Sequence, residues 1–376
     1  MIILGIETSC DETSAAVLEQ KNGRIQILSN VIGTSAKLQE KYGGVIPEQA
    51  AREQIKLIIP VIKEALEKAE IAPEKLDAIA VTYGPGLIGS LLVGVETAKV
   101  LSLIWHKPLI PVNHLIGHFY ANWIDGGSTG SPDNYSLSEA QQSRSFPIFP
   151  CIGLLVSGGH SDLVKFQKHG IFEYLGGTRD DAAGECFDKC ARLIGYPYPG
   201  GPKISKIGEK GNPSSYKLPR PLHDSKDYDF SFSGLKTAFA NLVAQHFKVT
   251  SFNPEGAEAH WKHIVLEGNP KADEQKLANL CASIEQAIID SLVKKAIAAV
   301  KEHSVGQLIV AGGVAANQKL AQTLKQECDN LGVKLSIPPA ILCTDNAAMI
   351  ASAAFFHNTP VKPLELQANP NLSLAY

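Results

Sequence analysis

The 376-residue chain carries 35 Lys and Arg against 38 Asp and Glu, a formal charge of -3, with 44% hydrophobic residues. That composition supports a large core divided over two lobes and excludes a globally basic surface, so contact with nucleic acid needs a local patch. No apolar run reaches membrane length (Leu57 to Ile62 is interrupted by Pro60), and seven scattered cysteines give no disulfide framework, which suits a reducing cytoplasm.

Met1 to Ile6 has neither a basic head nor a cleavage site and reads as a buried strand. The polar turn Glu7-Thr8-Ser9-Cys10-Asp11-Glu12-Thr13-Ser14 follows, then strands at Ala15 to Leu18 and Arg24 to Ile32. Its carboxylates and hydroxyls can hold a hydrated Mg²⁺ or phosphate oxygens, although a polar hairpin loop has the same composition. The spacing of Ile55, Ile58, Ile59, Ile62, Ala65 and Leu66 predicts a helix over Pro47 to Ala69. Leu76 to Val81 reads as a strand, and the loop Thr82 to Ser90 opens a helix through about Trp105. That loop is Gly-rich but lacks the lysine of a P-loop. After a strand at 108–112 comes His114-Leu115-Ile116-Gly117-His118. Residues four apart share a helix face, so both imidazoles can meet one ion. The zinc-protease signature would need Glu where Leu115 stands, so a water-activating carboxylate is missing.

From Asp125 to Ser145 there is no apolar period, and the stretch is expected to be a flexible insertion between lobes. The opening plan then returns: strand Phe149 to Val156, the turn Ser157-Gly158-Gly159-His160-Ser161, a return strand Leu163 to Phe166 and a third at Phe172 to Gly176. Such a glycine turn lets backbone N–H groups approach an anion, and is also an ordinary hairpin turn. A helix is expected from Asp180 to near Gly195, with Asp181, Glu185 and Asp188 on one face and Cys186 and Cys190 as buried thiols. From Lys203 to Arg220 five basic residues stand against Glu209 alone, the best local candidate for a phosphate backbone or else a solvated lysine face. Asp229 to Thr237 precedes a helix to about Phe247, 252–271 reads as an irregular insertion, and Leu277 to Val300 as a long amphipathic helix. Strand Gln307 to Ala311 leads through Gly312-Gly313 to a helix, a turn against which a nucleotide can lie. Thr344 or Asp345 is expected to cap the next helix, and the chain beyond Asn358 to form a loosely held tail.

Two hairpins with phosphate-type turns and a later Gly-Gly turn fit the α/β architecture of actin, Hsp70 and sugar kinases. That is a two-lobed actin-like ATPase (ASKHA) fold with a nucleotide cleft between duplicated halves. The expected division is 1–124 for the N-terminal lobe, with a helix of about 344–357 packing back onto it, 125–147 for the insertion and 148–376 for the C-terminal lobe.

The sequence also resembles the tRNA adenosine threonylcarbamoyltransferase family (TsaD), once labelled O-sialoglycoprotein endopeptidase. The resemblance rests on Gly5 to Thr13, Asn113 to His118, Val156 to His160, Asp180 to Glu185 with Asp188-Lys189, Tyr198 to Pro202, Phe232 to Lys236, Ala311 to Asn317 and Cys343 to Asn346. It implies transfer of a threonylcarbamoyl group from threonylcarbamoyl-AMP to N6 of the adenosine 3′ of the anticodon, in tRNAs reading codons that begin with A. It further implies one metal ion, iron(II) before zinc, on His114, His118 and Asp345. An adenylate would be held by Leu155, Val156, Ser157, Gly158, Gly159, Asp188, Gly201 and Asn317, with Asp11 and Glu12 lining the cleft as candidate proton acceptors and Mg²⁺ able to accompany the nucleotide. Partners implied are tRNA, a TsaB-like paralogue and a TsaE-like ATPase, or a second copy of the chain. The competing functions are a metal-dependent endopeptidase and a nucleotide-gated switch, since fold alone does not choose chemistry.

Overall fold

Two five-stranded sheets carry the fold, and both are wired in the same way. In the first, β1 (Ile2–Glu7), β2 (Glu12–Lys21) and β3 (Arg24–Thr34) are successive antiparallel neighbours. β4 (Ala78–Gly84) and β5 (Leu109–Asn113) then add in parallel on the other side of β1. In the second, β6 (Cys151–Val156), β7 (Ser161–Lys168) and β8 (Ile171–Gly177) are the antiparallel set. After a separate two-stranded ribbon of β9 (Lys248–Phe252) and β10 (Trp261–Val265), β11 (Gln307–Ala311) and β12 (Lys334–Ser336) continue that sheet in parallel beside β6. The orders β3-β2-β1-β4-β5 and β8-β7-β6-β11-β12 are one topology used twice. This duplication is the actin-like ATPase architecture expected from the paired hairpins. The computed structural model describes residues 1–34, 46–125, 146–252, 261–265 and 270–375. Most of the expected insertion at 125–147, and much of 252–271, lies outside the described residues.

Ten α-helices are described: α1 (Pro47–Ala69), α2 (Ile88–Trp105), α3 (His114–Tyr120), α4 (Ala183–Leu193), α5 (Gly201–Gly208), α6 (Ser233–His246), α7 (Pro270–Glu302), α8 (Gln318–Leu331), α9 (Ala340–Cys343) and α10 (Ala347–Phe356). α1 begins at Pro47, whose missing N–H costs nothing in a first turn, and buries Ile58, Val61, Ile62 and Ala65 against the first sheet. α7 buries Leu280, Ile284, Ile288 and Leu292 beneath the second sheet. Between the sheets a third apolar layer joins Ile3 and Ala16 to Leu155, Phe166 and Ile309 around α3 and α10. By length and composition α2 alone among the described helices could cross a membrane, although it carries the ion pair Lys99–Glu96 at 2.7 Å and lays Leu91, Val95 and Ala98 inside the fold.

Several expectations change. The C-terminal tail is not loose: Val361 N–H donates to Leu109 O (2.9 Å) and Asn369 N–H to Tyr83 O (2.7 Å), while Leu366 and Leu374 are buried. Its polar, Pro-containing composition suggested looseness, but its backbone groups find partners in the first lobe. The 252–271 region holds the strand β10, paired with β9 just before it, and α7 starts at Pro270 rather than Leu277. α4 starts only at Ala183, so Asp180 and Asp181 precede it. Asp180 instead accepts from Phe232 N–H (2.8 Å) and Ser233 N–H (3.2 Å) at the start of α6.

Candidate active site

β1 ends in Glu7, a fully buried carboxylate with three donors around it. Its Oε1 accepts from Ser9 N–H (2.5 Å), Oε2 accepts from the Thr82 hydroxyl, and the same Oε2 lies 3.1 Å from His114 Nδ1. The rest of the turn is clamped from two sides. Gln54 of α1 donates to Cys10 O (3.2 Å) and Glu12 O (2.9 Å), and Ser90 of α2 donates to Cys10 O (2.9 Å). Asp11 is buried within this clamped turn, and Glu12 opens β2 opposite Thr34.

Asn113 caps α3, its side chain accepting from Leu115 N–H at 2.8 Å, and both histidines of that helix are buried. Asp345 reaches them from the far end of the chain. Its Oδ1 stands 3.6 Å from His114 Nε2 and 3.2 Å from His118 Nε2. The expected caps Thr344 and Asp345 do not cap α10; Asn346 does, accepting from Met349 N–H at 3.1 Å. This leaves the Asp345 carboxylate turned to the histidines. One donor atom from each of the three residues falls within 4.8 Å of the others.

The surroundings fit a cation. Both ring nitrogens of His118 are buried; among the described residues Nδ1 has no hydrogen-bond partner and Nε2 has only Asp345 Oδ1 at 3.2 Å, out of good hydrogen-bond alignment, which suits an imidazole that something else ligates. Burial pushes the His118 pKa down, keeping the ring neutral as a ligand must be. With a proton on Nδ1 facing Glu7, His114 presents a free Nε2 lone pair toward Asp345, the carboxylate–histidine arrangement that orients metal-binding imidazoles. Burial opposes charge on His114, but Glu7 and Asp345 outweigh it and lift its pKa to about 9. Burial also opposes charge on Asp345, and His114 and His118 hold its carboxyl well below the usual range.

Metal binding must therefore displace a proton from His114 below pH 9. Affinity for a divalent ion is expected to rise about tenfold per pH unit from 6.5 to 9 and then level, as read by chelator competition. Glu7→Gln removes the charge that holds that proton, so the rise flattens; at pH 9 the loss of ring orientation lowers affinity by about 10–100-fold. An unchanged pH profile in Glu7→Gln would mean that Glu7 does not govern His114.

The second lobe faces this centre with its own turn. Ser157 N–H donates to His160 O (2.8 Å), closing the Ser157-Gly158-Gly159-His160 loop, and Gly184 N–H at the start of α4 donates to Ser157 O (3.2 Å). A side chain at Gly158 or Gly159 would meet no protein atom within 4 Å, and neither glycine has a positive φ. Among the described residues neither packing nor a positive φ demands glycine there, and the absence of side chains leaves room for close approach to the backbone. Leu155 and Val156 bury their side chains and can offer only backbone. Beside them Gly312, at φ 90°, lies so close to Val156 O that a Cβ would stand 2.4 Å from it. Asp188 turns from Glu185 and accepts from Gly200 N–H at 2.6 Å, just before Gly201 opens α5. The three carboxylates expected on one face thus separate: Asp181 and Glu185 both pair with Lys189 at 2.8 Å, while Asp188 shapes the glycine turn. Asn317 caps α8 through Leu320 N–H (2.8 Å) and donates its amide to Glu285 (2.8 Å) and Ser205 (3.0 Å).

Three residues outside the expected set join the site. Glu7 is one. His160 is the second: burial and the nearby His114 and His118 lower its pKa to about 4. Tyr198 is the third, its pKa raised by burial and then by Asp11 of the first lobe and Asp188 of the second. All three stand inside quoted motifs, but only tertiary placement separates them from their neighbours.

Comparison with known proteins finds relatives over nearly the whole chain. A family model described as tRNA N6-adenosine threonylcarbamoyltransferase (TsaD) matches residues 26–352. A protein of that name from Thermomicrobium roseum is 47% identical over 95% of this chain and 92% of its own length. Another of that name from Symbiobacterium thermophilum is 44% identical over 99% of this chain and 97% of its own. Among solved structures, the activator of 2-hydroxyisocaproyl-CoA dehydratase from Clostridium difficile, with bound ADPNP, covers 95% of each chain at 14% identity and TM-score 0.46. YeaZ from Pseudomonas aeruginosa matches 46% of this chain and 65% of its own at 17% identity and TM-score 0.28. By the breadth and level of the sequence matches, the chain belongs to the TsaD family of transferases, the tRNA N6-adenosine threonylcarbamoyltransferases.

Proposed function

We propose that this chain transfers the threonylcarbamoyl group of threonylcarbamoyl-AMP to N6 of the adenosine at tRNA position 37 in tRNAs reading codons that begin with A, releasing AMP. The observation that carries the reading is the His114–His118–Asp345 cluster, and the open glycine turn at Gly158 and Gly159 supports it. In this reading the backbone of Leu155, Val156, Ser157, Gly158 and Gly159 and the Asp188–Gly201 turn hold the adenylate, with Asn317 fixed beside them by Glu285 and Ser205. The donor is a mixed anhydride with a good leaving group, so positioning and charge stabilisation contribute more than a covalent nucleophile. A divalent ion on the cluster, when bound, would polarise a phosphate or carbamoyl oxygen. Two imidazoles and one carboxylate with open positions favour iron(II), with zinc as the alternative that metal analysis would reveal, and Mg²⁺ would enter with the nucleotide if at all.

The adenine amine must lose a proton as it attacks the carbamoyl carbon, and Asp11 or Glu12 accepts it. Asp11→Asn or Glu12→Gln is expected to slow transfer from preformed adenylate by about 10²–10⁴-fold while leaving adenylate affinity in place. Full transfer by both variants would remove the assignment.

The lobes divide at 1–124, with α10 belonging to the first, and 148–376. α1 and α2 leave Ile55, Ile59, Ile88, Leu92, Leu103 and Ile104 exposed, an apolar face suited to a TsaB-like paralogue, with a TsaE-like ATPase acting on the pair. A homodimer would be seen instead if a second copy takes that face. Seven free thiols suit a cytoplasmic setting. With partners supplied, tRNA-dependent release of AMP from threonylcarbamoyl-AMP is the expected activity. Peptide cleavage with the adenylate left intact would support the endopeptidase reading.

A further inference from the structure

We propose that the exposed lysine ridge along α5, formed by Lys203, Lys206 and Lys210, holds the phosphate backbone of the tRNA anticodon arm while the target base enters the cleft. This rests on the transfer reaction proposed above and names the surface that receives its polyanionic substrate.

The placement of α5 makes the ridge face outward. α5 packs on α7 through buried Ile204 and through Gly208, where a Cβ would lie 3.0 Å from Ala282 N. Lys203 and Lys206 are three apart, and Lys210 follows four later through Glu209, which keeps right-handed helical angles. The three therefore fall on the exposed side, about one helical turn (~5.4 Å) from each other.

Charge pairing sets these lysines apart from many others in the chain. Lysines on other helices are neutralised by acids three or four residues away, as in Lys56–Glu53, Lys68–Glu64 and Lys325–Asp329. Lys203, Lys206 and Lys210 form no ion pair among the described residues, and Glu209, just past the end of α5, is the one acid of the 201–210 stretch.

The ridge also begins at the cleft. Asp188, read above as part of the adenylate site, accepts from Gly200 N–H at 2.6 Å, one residue before α5 opens at Gly201, so Lys203 stands in the first turn after that contact. Glu7, Asp11 and Asp345 make the cleft itself acidic, which opposes entry of a polyanion. A positive rim offsets that repulsion and tracks a single-stranded backbone.

The test compares the full chain, with its partners, as wild type, as the triple variant Lys203→Gln/Lys206→Gln/Lys210→Gln, and as a control, Lys75→Gln/Lys301→Gln/Lys334→Gln. The control removes the same charge from exposed lysines elsewhere. Binding of unmodified tRNA is measured across a salt series, with KM and kcat for tRNA and binding of the adenylate. Loss of the ridge is expected to reduce the slope of log affinity against log salt by about 2–3 and to raise the tRNA KM at least tenfold at low salt, with kcat and adenylate binding unchanged. The control should behave as wild type. Wild-type slope and KM in the ridge variant, equal losses in the control, or loss of a protein partner with tRNA binding kept would each overturn the proposal and leave the transfer reaction standing. Failure of the wild type to bind tRNA would instead remove the transfer reading, and this surface with it.

Discussion

Asp345→Ala is expected to leave a folded chain that holds little metal and transfers at least about 100-fold more slowly, the range seen when one charge-stabilising group is removed from an acyl-transfer site. The reasoning runs through the three donor atoms. Without Asp345, the neighbouring imidazoles lose the only carboxylate of their cluster, and a cation would share its charge with neutral rings alone. The fold should tolerate the change. Asp345 is partly exposed, α10 keeps its Asn346 cap, and His114 keeps Glu7 at 3.1 Å. Metal analysis of the purified variant, beside its thermal unfolding and transfer rate, separates these effects. Wild-type metal content in Asp345→Ala would show that the cluster is not the site.

Gly5→Val should do the reverse, damaging the fold first and the site through it. α10 crosses β1 so closely that a Cβ at Gly5 would stand 2.4 Å from Ala347 O and 3.0 Å from Ala351 N, both backbone atoms in a helix. Neither can swing aside as a side chain could, so α10 as a whole must move. Overpacking of this kind costs about 1–3 kcal/mol, and a fixed backbone neighbour places it at the upper end. Because Asp345 lies two residues before Ala347, the same movement carries it away from His114 and His118. Stability and metal content are therefore expected to fall together, whereas in Asp345→Ala only metal content falls. A Gly5→Val chain with normal stability and metal would mean that α10 adjusts freely and does not fix the site.

These two residues also show where sequence reading succeeds and where it stops. The strands around Gly5 and Gly153 are legible because buried central strands are continuous apolar runs, and the repetition of hairpins gives away the duplicated topology. His114 and His118 are legible from helical spacing alone. Asp345 is not, since nothing in its neighbourhood distinguishes it from Thr344 or Asn346 as a helix cap; the family resemblance supplied it, and the structure assigns the cap to Asn346. Glu7 was hidden for a related reason. In sequence it is one of three carboxylates in a polar turn, and only the crossing of β1 with α3 buries it against His114. The tail beyond Asn358 misleads in the opposite direction, because its hydrogen bonds are made to strands far away in sequence, which composition cannot register.

The most direct test supplies the purified chain and its partners with threonylcarbamoyl-AMP and two unmodified tRNAs, one reading a codon that begins with A and one reading another. Nucleoside mass spectrometry then follows the adenosine 3′ of the anticodon. The account predicts threonylcarbamoyladenosine in the first tRNA only, absent after chelation and restored by iron(II). Consumption of the adenylate with both tRNAs unmodified, in the presence of metal and partners, would contradict it.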